Sequence, residues 1–192
     1  MPHGRRPALD ARCPVHVTLR VARGLPSMRC QVSIAAARRA FAAGRGGEGF
    51  RLVHYAIQAD HLHLLIEADD ARALTRGMRG LSIRLARAVN RVFRRRGRVI
   101  AERYHARSLG TPREVRRALA YVLLQTRRHA RQKGVGMTTA FDPCSSALVF
   151  DGWTRGSPRE GPWTATVVQA RTWLLSKGWR MHGLIDPSEI PG

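Results

Sequence analysis

Two runs of alternating apolar and polar residues, 50–57 and 61–68, are the clearest structural signal in the chain. A period of two is typical of strands that bury one face, because successive side chains point to opposite sides of a strand. Three residues separate the runs, which predicts two antiparallel strands joined by a tight turn. Residues 14–22 alternate similarly and predict an earlier strand, and residues 103–109 predict a short later one.

Apolar residues three or four positions apart predict three helices. The longest covers residues 71–95, with one apolar stripe and with arginines on the opposite side. The stripe consists of Leu74, Met78, Leu81, Leu85, Val89 and Val92. A helix over 30–43 precedes it and ends at a cluster of glycines. The third begins at Thr111, where Thr-Pro-Arg-Glu combines a capping box with proline at the first helical position, and extends to about Arg131.

Composition divides the chain into three parts. Residues 1–13 are basic and carry no hydrophobic pattern, so we expect a disordered leader. Residues 14–134 carry the predicted strands and helices and form the folded domain. Residues 135–192 contain all four tryptophans, and we expect a mostly irregular tail that wraps on the body, with one short helix near 167–176.

Arginine dominates the charge of the chain. The 192 residues include 34 Lys and Arg against 13 Asp and Glu, and Lys133 and Lys177 are the only lysines. Residues 71–133 contain nineteen of the basic residues and two acidic ones. A GC-rich genome would also favour arginine, but it does not explain so few acids. The net charge of +21 therefore suits a polyanion, foremost nucleic acid, because guanidinium groups bind phosphates through paired hydrogen bonds.

Absent patterns exclude several classes of protein. No apolar run approaches the ~20 residues that cross a bilayer, and none follows the basic N-terminus, so we expect neither a membrane helix nor a signal peptide. The three cysteines lack metal-ligand spacing and indicate unpaired thiols of a reducing compartment. The sequence contains no motif of a nucleotide-binding loop or of a zinc ribbon. The expected location is the cytoplasm, in association with the nucleoid.

The second alternating run begins with the sequence Asp-His-Leu-His-Leu-Leu-Ile-Glu. On a strand, His61 and His63 point to one face, with Glu67 further along that face. Two adjacent imidazoles can bind a single divalent metal ion. The alternative is a pair of half-buried histidines that alternate by chance, and the short pattern leaves both interpretations open.

Tyr121 and Gln125 lie four residues apart on the capped helix and are therefore neighbours on its surface. Both fall at the edge of the apolar stripe, and Arg117 and Arg128 flank the tyrosine on its outer side. A tyrosine beside arginines suits a nucleophile that attacks a phosphate, because the cations neutralise the phosphoryl oxygens. The alternative is a boundary tyrosine that packs its ring and exposes its hydroxyl.

A third segment, Arg103-Tyr104-His105-Ala106-Arg107, interleaves aromatic and basic residues. This pattern favours single-stranded nucleic acid, which binds through base stacking and phosphate contacts, although an edge strand has a similar composition. The candidate DNA-binding residues are Arg87, Arg91, Arg94, Arg103, Tyr104, Arg107, Arg117 and Arg128.

In this order, the features resemble the single-tyrosine HUH transposases, which comprise the insertion-sequence-200-like and REP-associated tyrosine transposases. His61-Leu62-His63 matches the His–hydrophobic–His motif of the family, and His16-Val17-Thr18 resembles its first strand. Tyr121 matches the nucleophile, and Gln125 matches the third metal ligand. The sequence departs from the family at Asp60, where relatives often have asparagine.

The resemblance covers about residues 14–131 and implies a ferredoxin-like or RRM-like α+β fold, with an antiparallel sheet and helices packed on one face. It implies a site in which His61, His63 and Gln125 hold Mg²⁺ or Mn²⁺. Tyr121 would then cleave and rejoin single-stranded or hairpin DNA through a 5′-phosphotyrosine intermediate. Relatives act as monomers or as homodimers.

Two other functions remain open from the sequence. One is a domesticated protein on the same fold that binds DNA hairpins through its arginines and does not use Tyr121. The other is an RNA-binding or ribosome-associated protein, which would leave the aligned histidines unexplained.

Overall fold

The structure, a computed structural model, describes residues 9–132, 134, 141–156 and 161–191. Five strands within these residues form one antiparallel sheet in the order β2-β3-β4-β1-β5. The strands are β1 (Val15–Arg20), β2 (Gly46–Gly47), β3 (Phe50–Ile57), β4 (His61–Ala68) and β5 (His105–Ser108). The helices are α1 (Gln31–Gly44), α2 (Ala71–Val92), α3 (Pro112–Leu123), α4 (Gln125–Gln132) and α5 (Trp173–Ser176). The expected α+β class with a ferredoxin-like antiparallel sheet is confirmed.

A first hydrophobic core lies between the sheet and helices α1 and α2. Residues 15, 17 and 19 of β1 contribute to it, because alternate residues of a strand share a face. The predicted apolar stripe of α2 packs there and is buried in all its members except Val92. Gly77 weakens an isolated helix, but close packing requires it here. A Cβ atom at this position would lie 2.1 Å from the ring of Phe50.

A second core lies on the opposite face of the sheet. Helix α3 packs there against Val53 and Leu65 through an apolar stripe that includes Val115 and Leu119. Helices therefore cover both faces of the sheet, whereas the sequence led us to expect them on one. The physical reason is that α3 is amphipathic and needs an apolar surface of its own.

Most predicted element boundaries agree with the structure, and two differ for physical reasons. Strands β3 and β4 coincide with the alternating runs. Helix α2 ends at Val92 instead of residue 95, because Arg94 has a φ of 48°, outside the right-handed helical region. The helix predicted to reach about Arg131 is interrupted at Leu124, where the apolar stripe of α3 ends and the strongly polar α4 begins.

Most of the described C-terminal segment, residues 141–156 and 161–191, packs over the second core, whereas Cys144 and Val167 pack on the first. It contains α5 and the 3₁₀ helices Ser146–Val149, Pro162–Thr166 and Gly178–His182. Trp153 and Trp179 are buried in that core, whereas Trp173 is exposed. Of the leader expected to be disordered, residues 10–13 form a turn, and residues 1–8 lie outside the described part of the chain.

Glu67, near the end of β4, ties the C-terminal segment to the sheet. Its buried carboxylate accepts hydrogen bonds from Arg51 Nε at 2.9 Å, from the Thr172 hydroxyl at 2.7 Å, and from the backbone N–H groups of Arg171 and Thr172. Burial alone would raise the pKa of Glu67, but these hydrogen bonds outweigh it and lower the pKa below the ordinary 4.5. Glu67 is therefore an ionised structural anchor at neutral pH.

Replacing Glu67 by glutamine should lower the free energy of unfolding by about 2–3 kcal/mol at pH 7, because the amide turns N–H donors toward buried donors. The lowered pKa means that this stabilisation is complete above the unfolded-state pKa and is lost as pH falls through the folded-state value. Urea unfolding of wild type and variant at neutral and acid pH measures both effects. Glu102→Gln, which removes an exposed carboxylate, is the control, and equal losses in the two variants would contradict the anchor role.

Candidate active site

The pairing of β1 with β4 assembles one wall of a polar cluster on the second face of the sheet. Thr18 lies opposite His63, and His16 lies opposite Leu65, in the antiparallel register. Directly opposite residues point to the same side of a sheet. Because residues 15, 17 and 19 fill the first core, the even-numbered His16 and Thr18 must face the histidines of β4.

His61 and His63 bring their ring nitrogens together as their spacing predicted. Their Nε2 atoms lie 3.1 Å apart, and the ring planes are nearly perpendicular at 87°. Behind His61, the Asp60 carboxylate accepts a hydrogen bond from Nδ1 at 2.7 Å. This bond lowers the pKa of Asp60, so the carboxylate stays charged and orients the imidazole. His63 is only 4% exposed, so its ring is enclosed by the side chains around it.

The inner nitrogen of His63 contacts two groups on β1. Its Nδ1 lies 3.1 Å from His16 Nε2 and 3.3 Å from the Thr18 hydroxyl. A hydroxyl can either donate or accept, and so can one nitrogen of a neutral imidazole in its two tautomers. His63 can therefore carry its proton on either nitrogen. With the proton on Nδ1, its Nε2 lone pair points toward that of His61.

Tyr121 covers this cluster from α3. Its ring centroid lies 5.1 Å from that of His63 and 5.9 Å from that of His16, both in edge-on arrangements. The nearly buried Gln125, the first residue of α4, donates a hydrogen bond to the Tyr121 hydroxyl at 3.4 Å. The Arg128 guanidinium lies over the tyrosine ring at 5.3 Å and brings positive charge to the outer side of the cluster.

The separation of the two imidazoles fits one divalent ion. Metal–nitrogen bonds are about 2.1 Å long, so two ligands at right angles lie about 3 Å apart. An aspartate behind a ligating histidine is a common supporting arrangement, which Asp60 provides. In the part of the chain that the structure describes, no three His, Cys, Asp or Glu side chains are grouped to hold a metal. A third protein ligand to an ion at this place would therefore be of another type, and the resemblance indicates the amide of Gln125.

Comparison with known proteins bears on the fold. No protein-family model matches the chain, and a search of curated proteins finds no match. A solved structure of a REP-associated tyrosine transposase bound to a REP hairpin is similar, with a TM-score of 0.58 over 76% of this chain and 82% of that chain. The chain has the fold of that transposase. At 13% sequence identity, the likeness concerns the fold and not individual residues.

The predicted DNA-binding residues of this transposase-like fold divide among three places. Arg117 is exposed on α3, the helix of Tyr121, and Arg128 lies on α4. Arg107 lies opposite His16 on β5, on the face of the candidate site, and pairs with Glu114 at 2.7 Å. Arg103 is exposed before β5, whereas the ring of Tyr104 packs against the first core. The exposed Arg87, Arg91 and Arg94 lie on or just after α2, across the sheet from Tyr121.

Two polar residues of the cluster were not among the site residues predicted from the sequence. His16 and Thr18 occur in a strand whose alternation was evident, so their common face was predictable. The sequence did not predict which strand lies beside β4, because strand order and register depend on tertiary pairing. Glu67 shares the face of His61 but serves the C-terminal segment instead. No helix among the described residues is long and apolar enough to cross a membrane.

The environment of His16 predicts an acid-sensitive fold. Burial, together with the positive charges of Arg107 and His105, lowers the pKa of His16 from 6.5 to about 4. The unfolded chain therefore takes up a proton between these values and the folded chain does not, so the free energy of unfolding falls as pH drops from 6.5 toward 4. Burial lowers the pKa of His54 to about 4 as well, which adds to the same loss.

His16→Asn should make this loss shallower by up to about 1.4 kcal/mol per pH unit, because one titrating group is removed. Urea unfolding in EDTA at several pH values from 7 to 4 measures it. His182→Asn, at an exposed position in the C-terminal segment, should keep the wild-type slope. Parallel curves for wild type and His16→Asn would contradict the lowered pKa.

Proposed function

We propose that this protein is a transposase-like enzyme that cleaves and rejoins single-stranded DNA through a 5′-phosphotyrosine intermediate, with Mg²⁺ or Mn²⁺ as cofactor. One observation carries the proposal. A tyrosine from α3 packs edge-on against His63 of the histidine pair on β4, 58 residues away in sequence, with an amide on its hydroxyl. A ring packed for stability alone has no need of two imidazoles, an amide and an arginine around it.

In this proposal, His61, His63 and Gln125 hold the divalent ion, which supplies Lewis-acid polarisation of the scissile phosphate. The Tyr121 oxygen attacks the phosphorus as its proton passes to water, and the bond from phosphorus to the 3′ oxygen of the preceding nucleotide breaks as that oxygen takes up a proton from water. The products are DNA joined to Tyr121 through its 5′ phosphate and a free 3′-hydroxyl. Attack by a 3′-hydroxyl on the phosphotyrosine reverses the step, so no nucleotide triphosphate is consumed.

The charge around the tyrosine suits a phosphate substrate. Arg128 over its ring and Arg107 on the neighbouring edge strand place two guanidinium groups beside the cluster. Such groups offset the negative charge on the phosphoryl oxygens, and this electrostatic interaction strengthens as water is excluded. His16, with its pKa lowered to about 4, remains neutral at pH 7 and adds no proton to the histidine pair.

The proposed partner is single-stranded DNA next to a hairpin. The transposase of similar fold was solved with a REP hairpin, and the excess of 34 basic over 13 acidic residues supports a DNA ligand here. Both a monomer and a homodimer are compatible with the proposal. A nucleoid-associated location follows from the same charge.

Tyr121→Phe should abolish covalent DNA attachment and leave DNA affinity within about threefold, because only the attacking oxygen is removed. Single-stranded hairpin DNA from repeats flanking the gene, labelled at the 5′ or the 3′ end, is incubated with Mn²⁺ or EDTA and analysed on a denaturing gel. A 5′-phosphotyrosine link places the 3′ label in an SDS-resistant adduct. The 5′ label then appears in a shortened free strand.

Tyr104→Phe removes a hydroxyl outside the cluster and is the matched control, which should form adduct like wild type. Adduct at wild-type levels in Tyr121→Phe would contradict the assignment of the nucleophile. Salt-sensitive binding by wild type without adduct on any flanking hairpin would favour the domesticated hairpin-binding protein.

His63→Ala should remove cleavage together with its dependence on metal, since one of two adjacent imidazole ligands is lost. Cleavage rate is measured against Mn²⁺ concentration, and metal binding by calorimetry without DNA. His182→Ala, at an exposed position in the C-terminal segment, controls for loss of a histidine. Unchanged cleavage in His63→Ala would refute the metal site.

A further inference from the structure

Five exposed arginines, Arg72, Arg76, Arg79, Arg87 and Arg91, follow the outer side of α2. We call this set the arginine ridge. At 100° per residue the ridge is centred opposite the buried stripe of the same helix. From Arg72 to Arg91 the helix rises by nineteen steps of 1.5 Å, or about 28 Å.

The arginines of the ridge form no ion pairs within the described part of the fold. In the described part of the chain, none of the five arginines forms an ion pair or a side-chain hydrogen bond with another residue. Helix α2 contains no acidic residue, and Asp70, just before it, caps its N-terminus by accepting from the Ala73 N–H. Elsewhere, arginines such as Arg29, Arg51 and Arg116 each bind a carboxylate. The ridge is therefore a row of cations without counterions from the protein.

The sheet separates the ridge from the candidate active site. Helix α2 packs on the first core, whereas Tyr121 and His63 lie on the second face. The helix itself adds about 10 Å of thickness. A strand bound at Tyr121 therefore does not lie along the ridge, and a polyanion on the ridge contacts a second surface of the protein.

The chemistry of the ridge selects its partner. Single-stranded nucleic acid is normally held by base stacking on aromatic side chains, and α2 contains no aromatic residue. A duplex presents a rigid line of phosphates. Its charge density, one negative charge per 1.7 Å of axis, is higher than that of a single strand. A straight row of about 28 Å matches about eight base pairs.

We propose that the arginine ridge is a second DNA-binding surface, which holds a duplex segment through its phosphates and without reading its sequence, separately from the strand at Tyr121. The choice of DNA rests on the proposed function. The ridge would keep the protein on duplex DNA beside the single-stranded site, or on a second duplex.

Arg76→Gln/Arg79→Gln tests this, with Arg23→Gln/Arg113→Gln as a control that removes the same charge from exposed positions elsewhere. Fluorescence anisotropy with a blunt 16-base-pair DNA duplex is measured from 50 to 300 mM salt. The ridge variant should bind about ten- to thirtyfold more weakly near 150 mM, and its log–log salt slope should be less steep by about 2, one unit for each lost phosphate contact. The control should stay within about threefold of wild type. Circular dichroism confirms that both variants fold.

Equal weakening in ridge and control variants would overturn the proposal, since net charge would then explain it. An unchanged salt slope in the ridge variant, or tighter binding of an RNA duplex than of the DNA duplex, would also overturn it. The adduct assay with a short single strand separates this inference from the proposed function. The ridge variant should form adduct within about twofold of wild type. Absence of adduct in wild type would refute the proposed enzymatic activity. The duplex measurement would still test whether the arginine ridge binds DNA.

Discussion

The register of β1 against β4 fixes both the first core and the polar cluster on the other face of the sheet. It places Thr18 beside His63 and, at the same time, the apolar residues 15, 17 and 19 over the first core. Because the side-chain period of a strand is two, a slip of β1 by one residue would turn His16 and Thr18 toward the first core and remove residues 15, 17 and 19 from it. The hydrophobic energy of the first core therefore also fixes the geometry of the polar cluster.

The second face is held by polar anchors that differ in kind from the first core. Arg116 of α3 binds Glu189 with two bonds of 2.8 Å and also donates to the carbonyls of His182, Gly183 and Leu184. Glu67 holds the segment from the sheet side. The C-terminal segment thus clamps the helix that carries Tyr121 from two directions. Buried charge pairs contribute little net stability over apolar packing, but they specify one arrangement, because a broken pair is costly.

The scarcity of acids in this chain has a structural consequence. Several of the 13 acidic residues are used in internal pairs, among them Glu67, Glu114, Asp142 and Glu189. Few carboxylates remain to neutralise the surface. Positive charge is therefore concentrated on the outer side of α2 and around Tyr121, two surfaces on opposite sides of one sheet. A phosphate backbone is the partner that both surfaces fit, and its binding should weaken steeply with salt.

The local features could be predicted from the sequence: the paired strands, the capped start of α3, the apolar stripe of α2, and the shared face of His61 and His63. These follow from side-chain periods and from capping chemistry, which act over a few residues. Long-range packing instead brings His16 and Tyr121 against His63, places α3 on the second face, and leaves Arg87 and Arg91 across the sheet from them. Such neighbours depend on strand order, on register and on which apolar face each helix buries. Those choices are made by the packing of the whole chain and leave no periodic mark in it.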